Sequence, residues 1–67
     1  MRLPEIQAEL DTYCNRETYI RETLLPLFEG RNEEVEMFLN EQIIHCLAQV
    51  RLRRLEFKLE QAMYRKQ

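Results

Sequence analysis

Between Asn32 and Lys66 the chain carries apolar residues on two opposite sides of what reads as one long helix, and this double stripe restricts the available folds more than any other feature. At about 100° per residue, Val35, Leu39, Ile43, Cys46, Leu47 and Val50 fall on one side. Met37, Ile44, Ala48, Leu52, Leu55, Leu59, Ala62 and Met63 fall roughly opposite. A surface helix buries one stripe and solvates the remainder, so this helix asks for two neighbours. A second stripe left uncovered would be an apolar patch of the kind that marks a binding surface.

The preceding residues supply one neighbour. Leu3, Ile6, Leu10, Tyr13, Glu17, Ile20, Leu24 and Leu27 recur at alternating steps of three and four, a heptad seam with one polar member. Pro4 suits a first helical turn, where its missing N–H costs nothing, and Glu5 suits the positive end of the dipole. Pro26 cannot donate to residue 22 and disfavours helical angles at Leu25, so the regular helix is expected to end or kink near Thr23–Leu25, with at most one further turn. Gly30, the only glycine, stands where a left-handed residue would reverse the chain. Asn32 is a good N-cap, followed by Glu33, Glu34 and Glu36 in the favourable first turn.

The expected fold is therefore all-α, a single domain over residues 1–67: an antiparallel helical hairpin with a helix over about 4–25, a short turn around Gly30 and a long helix over about 33–65. Reversal near residue 30 sets residues side by side when their numbers total about 60, placing Ile20 near Leu39, Cys14 near Cys46, Tyr13 near Leu47 and Leu10 near Val50. The first stripe then meets helix one, which reaches about residue 57 at 1.5 Å per residue. The second stripe finds no cover within the chain.

At 67 residues the core is small, since chains of this size seldom gain more than about 3–5 kcal/mol from it. Two cysteines and one histidine offer little for a disulfide framework or a metal site, so association is the expected supplement. The expected partner is protein, either a second copy, with a dimer first and a four-helix bundle or larger helical complex as its form, or a different helical chain. Charge is unevenly spread: residues 1–50 carry −6 and residues 51–67 carry +4, within a total of −2. The cations Arg51, Arg53, Arg54, Lys58, Arg65 and Lys66 are candidate anion contacts, although cations at a helix C-terminus also complement its dipole. Such asymmetry can also set the register of a self-assembly.

Catalytic and cofactor readings find little material. With no serine and one glycine, serine triads and glycine-rich phosphate loops are excluded. His45 and Cys46 are neighbours in sequence and point about 100° apart on a helix, a poor base and nucleophile pair. Neither enzyme activity nor a metal nor a cofactor is expected. No apolar run approaches the ~18 residues of a membrane span, and Met1-Arg2-Leu3-Pro4-Glu5 does not open a signal peptide, so the expected compartment is the cytoplasm with both thiols reduced.

The leading expectation is a non-catalytic interaction module, a small helical adaptor, chaperone or inhibitor acting through Met37, Ile44, Ala48, Leu52, Leu55, Leu59, Ala62 and Met63. The alternative is a nucleic-acid-binding hairpin dimer or small transcriptional regulator that uses the basic end on phosphates. In layout alone the chain is similar to the small helical-hairpin co-chaperones of secretion systems and to plasmid-encoded RNA-binding hairpins. It shares no motif with either, so no family is assigned.

Overall fold

The computed structural model describes residues 2–65. Helix α1 spans Leu3–Tyr19, with Pro4 in its first turn and the Ile6 N–H donating to the Arg2 carbonyl at 2.9 Å. A π-helical turn, Ile20–Leu24, follows, and one further helical turn, α2, covers Leu25–Phe28. Helix α3 runs over Glu33–Arg65. The chain is an all-α antiparallel hairpin, and the described residues contain no strand.

Pro26 disturbs the first arm where the sequence expects an end or a kink, and it does so by widening a turn. Its ring crowds the residue 22 carbonyl and provides no donor for it. The backbone answers by widening the turn: the Leu25 N–H bonds the Ile20 carbonyl, five residues back, and Leu25 keeps helical angles of −58° and −44°. The arm thus continues through Phe28, the one further turn the sequence allows. The widened turn also inserts one residue into the helical count. Leu27 rotates outward to 59% exposure, while Leu24, Leu25 and Phe28 pack against the buried cluster of Ile20, Leu39 and Ile43.

The reversal uses the residues the sequence singles out. Gly30 has φ +73°, a left-handed angle that costs a side-chain-bearing residue energy. The Phe28 carbonyl accepts from the N–H groups of both Arg31 and Asn32. Asn32 Oδ1 accepts from the Val35 N–H at 3.2 Å, and Glu36 Oε1 reaches back to the Gly30 N–H at 3.1 Å. Two orphan donors at the turn are thereby satisfied.

The two arms pair as the turn dictates. Arg2 meets Glu56 at 3.8 Å, Glu9 meets Arg53 at 2.9 Å, and the Tyr13 and His45 rings meet edge-on with centroids 6.2 Å apart. All three pairs total close to 60. Between them the seam buries Ile6, Ile20, Leu39, Ile43, Cys46 and Val50. Cys14 is half-buried, and both thiols are free. Leu47 departs from its expected place: Tyr13 faces His45 instead, and Leu47 is 44% exposed at the far edge of the stripe, beyond the reach of a single narrow helix. Past Glu56, residues 57–65 extend about 13 Å beyond the last of these inter-arm pairs. The molecule is a rod of 55 × 15 × 11 Å.

A candidate protein-binding face on the long helix

Helix α3 holds the candidate site because its phase against α1 is fixed from both sides. Ile43 is buried and Ile44, the next residue, is 66% exposed; this is the 100° step read out as burial. The same step places Met37, Ile44, Leu52, Leu55, Leu59 and Met63 outward, each between 46% and 66% exposed. Ala48 and Ala62 are exposed on the same side. The structure therefore gathers all eight residues on one uncovered face of a single rigid element. From Met37 to Met63 this face is about 39 Å long.

The six basic residues do not form one group. Arg53 faces the inside of the hairpin: it donates to Glu56 Oε1 at 2.6 Å and to Gln49 Oε1 at 3.3 Å, and its Nε stands 2.9 Å from Glu9 Oε2, off the hydrogen-bond line. This cation fastens α1 to α3. Arg51, Arg54 and Lys58 instead line a shallow groove with Leu47, Val50 and Leu55, along one flank of the apolar face. Among the described residues these three make no ion pair, and Arg65 falls at a similar helical angle. Lys66 lies outside the described residues.

On α3, Leu47 is expected on the inner stripe and stands instead at its exposed edge. It bridges the apolar face and the cationic flank, lining both the groove with Arg51, Arg54 and Lys58 and a second one with Ile44, Ala48 and Arg51. Its helical angle, at the outer edge of the inner stripe, was the available signal. Phe38 and Tyr19 are also exposed, on the opposite flank, beside a groove between the two arms that Ile20, Leu24 and Leu39 floor. Among the described residues no three His, Cys, Asp or Glu side chains are grouped to hold a metal ion, and no helix is long and apolar enough to cross a membrane.

What the arrangement offers chemically is apolar area, continuous and rigid, with cations on one rim. No protein-family model matches this chain, and neither a curated protein nor a solved structure matches it.

Proposed function

We propose that this chain is a non-catalytic protein-interaction module of the cytoplasm, a small helical adaptor, chaperone or inhibitor that binds through the outer face of α3. The observation that carries the reading is the run of large exposed apolar side chains from Met37 to Met63 on one side of a helix whose other side packs on its own hairpin through Leu39, Ile43, Cys46 and Val50. Water-exposed apolar area of this extent is unfavourable at roughly 25 cal/mol per Å², so covering it supplies the driving force for binding. The small core has little stability to spare and gains from being bound.

The test is to place a carboxylate in the centre of the face. Leu55→Asp and Leu59→Asp should retain helical circular dichroism and lose association, measured by size-exclusion chromatography of tagged protein both purified and in extracts of its own host. The reading is overturned if wild type and variants alike elute at the 8.3 kDa of a single chain in both settings.

A second reading is favoured by the cationic flank. Arg51, Arg54 and Lys58, which make no ion pair among the described residues, could follow a phosphate backbone. Three such contacts on duplex DNA would give a slope of about −2.7 in log affinity against log salt, whereas an apolar protein interface would give almost none. The acidic remainder of the chain, with a pI near 5.4, weighs against this reading.

A further inference from the structure

We infer that the occupant of the α3 face is a second copy of this chain, packed antiparallel, with the two-fold axis passing at Ala48. The inference rests on the reading of that face as a protein-binding surface, and two observations extend it to a particular partner.

The first is the symmetry of the face itself. Counted from Ala48, Ile44 and Leu52 lie four residues to either side, and Met37 and Leu59 lie eleven to either side, all of them exposed. An isologous antiparallel contact needs this pattern, because each residue before the axis must meet the partner's residue equally far beyond it. Ile44 would then pack on the partner's Leu52 and Met37 on its Leu59, while the smallest side chain of the set sits where the helices approach most closely. Three positions break the symmetry: Glu41, seven residues before the axis, opposes Leu55, and toward the ends of the face Glu34 opposes Ala62 and Glu33 opposes Met63; each exposed glutamate stem can lie along the seam with its carboxylate at the rim.

The second observation is charge. From Glu33 to Val50, α3 carries Glu33, Glu34, Glu36 and Glu41 and no lysine or arginine; from Arg51 to Arg65 it carries five cations and two acids. In an antiparallel pair the same flank of each helix faces its counterpart reversed. Lys58 then stands level with residue 38 of the other copy, between Glu36 and Asn40 on the matching flank, and Arg65 comes within two residues of Glu33. A parallel pair would set the acidic halves side by side and the basic halves side by side, which like-charge repulsion opposes.

The faces of α3 that meet α1 and the second copy are about 180° apart, so the four helices lie in one layer, in the order α1, α3, α3, α1, instead of a square bundle. Cysteine crosslinking tests the arrangement. Ala48→Cys should form a disulfide-linked dimer under mild oxidation, since only residues near the axis bring two copies of the same Cβ within the ~4 Å a disulfide requires. Met37→Cys and Leu59→Cys should fail to crosslink with themselves and crosslink with each other when mixed. Wild-type protein run alongside scores any background from Cys14 and Cys46. Self-crosslinking of Met37→Cys, or none at Ala48→Cys, overturns the antiparallel pair. Sedimentation separates this failure from that of the broader reading: a wild-type monomer at micromolar concentration overturns the second-copy proposal while a host complex lost in Leu55→Asp would still uphold the interaction face.

Discussion

Ile43 and Ile44 share chemistry and are neighbours in sequence, and the phase of α3 gives them opposite roles. Ile43 is enclosed by α1, and Ile43→Ala should lower hairpin stability by about 2–5 kcal/mol, as other large-to-small changes in cores do. Ile44→Ala should change it by less than about 0.5 kcal/mol when both are measured by urea unfolding on the Leu55→Asp background, where association is removed. Arginines 53 and 54 make a similar contrast. Arg53→Gln loses contacts to Glu9 and Glu56 and should cost about 0.5–1 kcal/mol, while Arg54→Gln touches no ion pair within the described residues and should leave the unfolding midpoint where it was. Equal effects for the two arginines would mean that the Glu9 contact contributes nothing to holding the arms together. From sequence the six cations looked alike; only the pairing of the arms shows that Arg53 turns inward, toward an acid some forty positions earlier.

At the scale of elements, the turn was legible because each of its residues has a local reason to be there. Gly30 supplies the positive φ, and since a Cβ built there would meet nothing within 4 Å, the cost of Gly30→Ala is backbone strain alone, about 1–2 kcal/mol. Gly30→Asn should cost less, because asparagine tolerates the left-handed region. Asn32→Ala should cost about 1 kcal/mol by losing the cap on the Val35 N–H, with Asn32→Asp close to neutral; denaturant midpoints followed by circular dichroism measure all four. The π turn was not legible. Pro26 announces a disturbance, but whether a helix stops, kinks or widens there depends on what the following residues can gain by continuing. Here Leu25 and Phe28 gain a place against Ile20, Leu39 and Ile43, so the helix accommodates the proline and changes phase. That phase change is what moved Leu27 out of the seam. A seam read at constant period is reliable only up to the first irregular turn, which is why the positions up to Ile20 were assigned correctly and Leu27 was not.

For the whole molecule, a rod 55 Å long and 11–15 Å across has little interior, and among the described residues its seam holds six buried apolar side chains. Folding and association should therefore be coupled through concentration. If the α3 face closes on a second copy, the dimer is stabilised relative to two unfolded chains by mass action, and the melting temperature must rise with protein concentration. Leu52→Asp should remove that rise, holding the midpoint at the value of the lone hairpin, because a carboxylate in the centre of an apolar contact would be desolvated without a partner. The dimer dissociation constant should increase by at least about 30-fold, the equivalent of about 2 kcal/mol for a central anchor. Leu39→Asp places the same charge on the inner side of the same helix, against Ile20 and Ile43, and should abolish the cooperative transition at every concentration. Thermal melts over a hundredfold range of concentration, followed at the helical circular dichroism band, compare the three proteins directly. A wild-type midpoint independent of concentration would show that the hairpin folds alone and that its outer face is kept for a different protein. A Leu52→Asp protein as unfolded as Leu39→Asp would show that neither arm holds its shape until the second copy is in place.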